Sequence, residues 1–209
     1  MYKKYFKRLF DIVFSLSVLI ILSPLLLLLS ILVRIKHGSP IVFKQLRPGK
    51  DEKIFSIFKF RTMTNEKDVN GNLLHDDMRL TKFGKFLRKT SCDELLEFYN
   101  ILKGDMSVVG PRPLLVKYLP YYTETERLRH TVRPGLTGLA AIKGRNTLSW
   151  EDRFKYDIEY VEKINFKLDL KIIFLTIGKI FSNDDILIGS EEVFLNLDAE
   201  RKENEFEKL

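Results

Sequence analysis

Asp93 and Glu94 stand side by side in Ser91-Cys92-Asp93-Glu94-Leu95-Leu96, and further on Arg112 sits between Pro111 and Pro113. Adjacent carboxylates at a helix start, with a proline-framed arginine after them, point to phosphoryl chemistry. Helix N-terminal amides and the aligned peptide dipole draw in phosphate, and the same field keeps a carboxylate ionised and able to attack phosphorus. Two acids together would repel a phosphate unless a divalent cation neutralised them, and their hard oxygen donors suit Mg²⁺. Three arginines on predicted loops could complete a pyrophosphate cradle: Arg112, Arg133 in Arg133-Pro134-Gly135-Leu136-Thr137-Gly138, and Arg145 in Lys143-Gly144-Arg145-Asn146. Guanidinium suits that task because it binds phosphate bidentately.

The same residues support a plainer account. Ser91, followed three residues later by Glu94, matches a capping box, with Leu95, Phe98, Tyr99 and Leu102 as the apolar stripe and Gly104 as the stop. Asp93 and Glu94 would then only cap a helix, and the protein would be a basic, membrane-anchored module that binds lipid or nucleic acid without turnover. Other chemistries find no support. The sequence has no Walker-type glycine loop, no Gly-x-Ser-x-Gly, and no metal spacing among His37, His75, His130 and Cys92.

Several elements must position these groups. Ile41-Val42-Phe43 and residues 53–61, separated by Arg47-Pro48-Gly49-Lys50-Asp51-Glu52, predict a β-hairpin whose second strand puts Lys59 and Arg61 on one side. Lys59 is either a solvated strand charge or part of a phosphate site. Residues 64–77 are polar, with an Asn70-Gly71 turn. Over residues 80–89, Leu80, Phe83 and Leu87 recur at helical spacing among Lys82, Lys85, Arg88 and Lys89, which predicts a short basic amphipathic helix, favoured at the membrane interface beside the apolar segment, with an ordinary surface helix as the alternative. Residues 168–181 form a second such stretch, too charged to span. Ser149 caps a structural helix carrying Phe154, Ile158 and Val161.

Residues 12–33 are almost all apolar, long enough to cross a hydrocarbon core. Ser23-Pro24 interrupts them near the middle, and positive charge flanks both ends: Lys3, Lys4, Lys7 and Arg8 before, Arg34 and Lys36 after. Both ends are cytoplasmic under the positive-inside rule, and a mid-segment proline bends a helix, so a re-entrant hairpin in one leaflet fits; a kinked spanning helix is the alternative. The formal net charge of +7 hides an asymmetry: from Asn183 on there are nine acidic and three basic residues, leaving +13 on the rest. A basic body beside an apolar segment suits anionic headgroups or phosphorylated substrates. One cysteine excludes an internal disulfide and fits a reducing compartment.

These motifs together resemble the bacterial sugar transferases, the small monotopic phosphoglycosyl transferases similar to PglC. The resemblance runs from about Lys7 to Phe181 and is carried by Lys7-Arg8-Leu9-Phe10-Asp11, Ser23-Pro24, Phe43-Lys44-Gln45-Leu46-Arg47-Pro48-Gly49, Phe58-Lys59-Phe60-Arg61-Thr62-Met63, Asp93-Glu94, Gly104-Asp105-Met106-Ser107-Val108-Val109-Gly110-Pro111-Arg112-Pro113 and the Arg133 to Gly138 motif. It implies an α+β protein: an N-terminal re-entrant membrane helix (1–36), a small, mainly helical catalytic domain with a β-hairpin and interfacial helices (37–182), and an acidic tail (183–209). The implied activity moves a sugar 1-phosphate from a UDP-sugar, expected to be an N-acetylated amino or diamino sugar, to polyprenyl (undecaprenyl) phosphate. UMP leaves in a ping-pong mechanism, with Mg²⁺ as cofactor, at the cytoplasmic face of a bacterial inner membrane, as a first membrane step of glycoconjugate synthesis. Membrane lipids are partners and nucleic acid is not. Carried onto matching positions, Asp93 is the nucleophile and Glu94 its partner in holding metal and handling protons. Lys59, Arg88, Arg112, Arg145 and Asp169 match polar positions near the site, with Arg88 meeting the lipid phosphate and Arg112 and Arg145 the nucleotide sugar. Arg61 stands where close relatives have lysine, and the tail is acidic where theirs is basic.

Overall fold

The computed structural model describes residues 2–144, 147–182 and 196–206. After a π-helical turn, Tyr2–Phe6, come α1 (Lys7–Ile21) and α2 (Ser23–His37), bent 63° from each other. Pro24 lies in the first turn of α2, where a helix needs no N–H, and the carbonyl it leaves unpaired, that of Ile20, accepts 2.8 Å from Ser23 Oγ. Among the described residues no single helix is long and apolar enough to cross a membrane; only this bent pair passes together.

Helix α1 is inside out. The residues it buries are Lys7, Asp11 and Ser15, while Leu9, Val13, Leu16, Ile20 and Ile21 are exposed. Water would penalise so continuous an apolar face, and lipid would not. The buried polar face is stitched to the rest of the chain. Lys7 Nζ lies 2.6 Å from Asp169 Oδ2, Arg8 caps the end of α5 (Glu97–Lys103) through the carbonyls of Ile101 and Leu102, and Asp11 Oδ1 accepts from Ser107 Oγ and Val108 N.

The hairpin forms as expected, β1 (Val42–Pro48) antiparallel to β2 (Ile54–Phe60), its turn closed by Asp51 and Glu52 at positive φ. Residues 64–75 are irregular; Asp68 Oδ1 accepts from the N–H of Asn70 and of Asn72, closing the turn at Gly71. Then follow α3 (Asp76–Arg79) and the basic amphipathic α4 (Lys82–Lys89), capped by Thr81. Gly84 lets α4 lie on the end of β2: a Cβ there would meet the Thr62 carbonyl oxygen at 1.8 Å.

A 3₁₀ turn, Cys92–Leu96, leads into α5, which stops at left-handed Gly104. Strand β3 (Ser107–Val109) pairs in parallel with β4 (Gly135–Thr137), so the Arg133 to Gly138 motif, expected to be a loop, is partly strand. The two glycine motifs interlock. A Cβ on Gly135 would sit 2.1 Å from Gly110 N, and one on Gly138 2.3 Å from Gly110 O. Between the strands lie the 3₁₀ segment Val116–Tyr121 and α6 (Glu124–Arg127); after them come α7 (Leu139–Lys143), α8 (Trp150–Lys163), capped by Ser149 as expected, and α9 (Phe166–Ser182).

The main core joins Ile57, Phe98, Ile101, Met106, Val109, Tyr160 and Ile172. Truncating Ile101 or Met106, both fully buried, would cost about 2–5 kcal/mol. From the tail, α10 (Leu197–Phe206) docks on a second cluster, where Leu197 is buried with Leu114, Tyr118, Tyr122, Trp150 and Phe154. The protein is thus a mainly helical α+β chain with two small sheets.

Candidate active site

The capping box expected at Ser91 does not form. Ser91 adopts φ 55°, ψ 17°, and its side chain caps nothing; its backbone carbonyl accepts from Glu94 N at 3.1 Å instead. This left-handed residue turns the chain out of α4 and presents Asp93 and Glu94 on the 3₁₀ turn, facing β2. Glu94, released from capping, is held by cations. Lys59 Nζ lies 2.6 Å from Glu94 Oε1 and 3.2 Å from Glu97 Oε1, and Arg112 Nη2 reaches Glu94 Oε1 at 2.5 Å.

Asn100 fixes α5 against this strand: its Oδ1 accepts from Phe58 N (3.0 Å) and its Nδ2 donates to Ser56 O (2.7 Å). The side chain thereby supplies ladder partners that β2 lacks on its open edge. Lys59 is consequently aimed by backbone on both sides.

Burial would raise the Glu94 carboxyl, but Arg112 and Lys59 overwhelm that and hold it well below the usual carboxylate range. Asp93 is pushed up to about 6, first by burial and then by the Glu94 charge, against Lys59, Arg88 and Arg112. Glu97, 1 % exposed, is pushed up to about 7 by burial and Glu94. Three acids in one neighbourhood thus divide into one firmly ionised and two poised near neutrality, a pattern typical of functional sites.

These groups line a cleft of about 990 Å³. Lys59, Arg88, Asp93, Glu94 and Arg112 all face it, which brings five of the expected site residues together. Arg88 is oriented by its Nε–H bond to Thr62 Oγ1 (3.1 Å). The cleft reaches Phe14 and Val18 of α1 and Leu22 at the bend, so it runs from the acids to half-buried apolar side chains of the helix pair. Arg133 and Asp169 are elsewhere. Arg133 Nε donates to Gly104 O (2.8 Å), and Asp169, fully buried, accepts from Tyr2, Lys7 and Tyr160. Arg145 lies outside the described residues.

Magnesium was expected on Asp93 and Glu94. Among the described residues no three metal-ligating side chains gather at one point. The donors nevertheless fit an ion that takes most of its shell from phosphate oxygens and water: Asp93 makes no side-chain hydrogen bond among the described residues, and Glu97 Oε1 has only the ion pair with Lys59. Glu94 fits less well, since its oxygens are taken by Lys59 and Arg112.

A family model described as bacterial sugar transferase matches residues 2–183. The chain belongs to the bacterial sugar transferase family. Within that family it is similar to the sugar transferase EpsL of Bacillus subtilis, 52% identical over 86% of this chain and 89% of EpsL. The exopolysaccharide production protein ExoY of Sinorhizobium fredii is 38% identical over 82% of this chain and 83% of ExoY. A UDP-glucose:undecaprenyl-phosphate glucose-1-phosphate transferase of Klebsiella pneumoniae is 46% identical over 85% of this chain, which spans only 40% of that longer protein. As a member of the bacterial sugar transferase family the protein is a transferase enzyme, and the account of it as a non-catalytic module gives way.

Four site residues escaped the sequence reading. Glu97 and Asn100 looked like ordinary helix positions, although a polar residue among Phe98 and Ile101 was a usable signal. Arg129 and Asp157, both 2 % exposed, form a buried ion pair at 2.7 Å, and no local motif marks either.

Proposed function

We propose that the protein is a phosphoglycosyl transferase that moves a sugar 1-phosphate from a UDP-sugar to undecaprenyl phosphate. The observation that carries this is the buried Asp93 carboxylate, without a side-chain hydrogen bond among the described residues, beside a Lys59–Glu94–Arg112 cluster, in a cleft that reaches the apolar Phe14 and Val18 of α1. With its carboxyl near pH 6, Asp93 is mostly ionised at neutral pH and attacks the sugar-linked phosphorus. An Asp93 Oδ–P bond forms, the P–O bond to the nucleotide breaks, and UMP leaves. In the second step an oxygen of undecaprenyl phosphate attacks the same phosphorus, giving the lipid-diphosphate sugar and freeing Asp93.

Lys59 and Arg112 supply positive charge to the phosphate oxygens, and Arg88, on the basic face of α4, is placed for the lipid phosphate. Glu94 is held too firmly as an anion to carry protons; it fixes the two cations. Mg²⁺ held by Asp93 with Glu94 or Glu97 would neutralise phosphate charge when bound.

The bent pair α1–α2 lies in one leaflet as a re-entrant hairpin, with α4 and the exposed Phe174, Leu175 and Ile177 of α9 at the interface. In this reading the enzyme works at the cytoplasmic face of a bacterial inner membrane. Relatives are named for glucose and for galactose, so those hexoses join the N-acetylated amino and diamino sugars as donors to test. Incubation with a panel of UDP-sugars and Mg²⁺, without acceptor, should yield UMP and a phosphosugar adduct on Asp93 by mass spectrometry. UDP as the product, or an adduct undiminished in Asp93→Asn, would overturn the proposal.

A further inference from the structure

Among the cleft-lining arginines that the chemistry above does not use, Arg47 sits on the hairpin beside Lys59's own strand. Phe43, Gln45 and Arg47 share one face of β1 and line the cleft opposite Ile57 and Lys59 of β2. Arg47 Nη2 donates 2.6 Å to Gln45 Oε1, a neutral partner that aims the group without balancing its charge. Among the described residues no carboxylate pairs with Arg47, and its buried Nε makes no hydrogen bond.

Arg112 lines the same cleft and adds like charge. The contrast with Arg129 is informative. That arginine is buried, and Asp157 neutralises it at 2.7 Å. Glu97 lends Arg47 opposite charge without pairing with it; a buried donor without an acceptor and a guanidinium without a paired carboxylate are both costly, and an anion in the cleft relieves both at once. In the strand register Arg47 is four residues from Phe43, which pairs with Lys59, so their backbones are about 13 Å apart along the hairpin. Lys59 serves the acids; a donor whose sugar phosphate sits there extends its nucleotide along the hairpin towards Arg47, whose long side chain reaches back to the adjacent phosphate.

We propose that Arg47, aimed by Gln45, binds the nucleotide-side phosphate of the donor and stabilises the charge it gains as the nucleoside monophosphate departs. The inference rests on the phosphoglycosyl reading. In the first half-reaction the bond from phosphorus to the UMP oxygen breaks and its electron pair stays with UMP, so a guanidinium there favours departure. In the second half-reaction UMP is gone and Arg47 has no part.

The two half-reactions separate this from a structural role. With Arg47→Gln, the UMP dissociation constant by calorimetry should rise about 10- to 100-fold, the yield expected for a charged hydrogen bond. UMP release from UDP-sugar without acceptor should slow by a similar factor, while transfer from isolated adduct to undecaprenyl phosphate stays within about twofold. Arg47→Lys keeps charge but loses the fork, and Gln45→Ala keeps the fork but not its aim; both should fall between, and both guard against an Arg47→Gln protein that fails to fold. Equal slowing of both half-reactions, or unchanged UMP affinity, overturns the proposal. A wild-type protein that forms no adduct, while Arg47→Gln still weakens UMP, would sink the transfer chemistry and leave the nucleotide site standing.

Discussion

Arg129 donates from Nη2 to the backbone carbonyl of Arg112 at 2.7 Å, and by that bond a fully buried guanidinium holds the loop whose side chain clasps Glu94. Asp157 accepts from the Nε and Nη2 of Arg129, and Tyr122 OH lies 3.4 Å from its Nη1. Replacing Arg129 with Met strands the Asp157 charge, and should destabilise the fold by about 3–5 kcal/mol. The double variant Arg129→Met/Asp157→Leu should recover much of that in thermal melts while KM for the UDP-sugar stays raised, because stability returns and the hold on Arg112 does not. Recovery of KM with stability would show that the pair acts only through folding.

Asp93 is predicted to cost stability. Its carboxyl sits near 6 in the folded protein, above its ordinary 3.8, so the ionised form disfavours the fold. The penalty is fully present above pH 6 and disappears as pH falls towards 3.8. Without divalent ions, Asp93→Asn should therefore be more stable than the parent at pH 7–8, by about 3 kcal/mol at most, with the difference vanishing near pH 4. Melts across that range, beside an adduct assay in which the same variant is inactive, check both signs. A less stable Asp93→Asn at neutral pH would contradict the burial argument.

Helix α10 should matter to a site it never touches. Leu197 is fully buried against Tyr118 and Tyr122, Tyr118 OH donates to Asn196 Oδ1, and Arg201 pairs with Glu126 at 2.5 Å. Those residues lie just behind Arg129 and the Arg112 loop, yet α10 is beyond the family-matched residues 2–183. Leu197→Asp should cost about 2–5 kcal/mol and raise KM for the UDP-sugar more than it lowers kcat, and Leu197→Met should restore both. Steady-state kinetics of the two variants decide it.

Much of this was legible from local pattern. The hairpin, the amphipathic α4, the Gly104 stop and the broken apolar segment each rest on periodicity or on a turn residue, which act over a few positions. The capping box at Ser91 failed because a tertiary partner outbid a local one: Lys59 and Arg112, far along the chain, took Glu94 before it could turn back to its own helix. Asp169 matched a polar family position and proved to be a lock for Tyr2, Lys7 and Tyr160. The Arg129–Asp157 pair was invisible for a similar reason, since its partners are 28 residues apart and meet only when α8 packs. Nothing in a sequence says which charges will lose their water.

Asp11 is joined to Ser107 and Val108, and within a few residues of that strand stands Arg112 with its hold on Glu94. A helix fastened so close to the reacting groups is no tether. A displacement of α1 would pass through Asp11 to the strand that leads to Arg112. With α1 in lipid, as proposed, the bilayer becomes a mechanical part of the enzyme, and its composition should bear on the rate as well as the address.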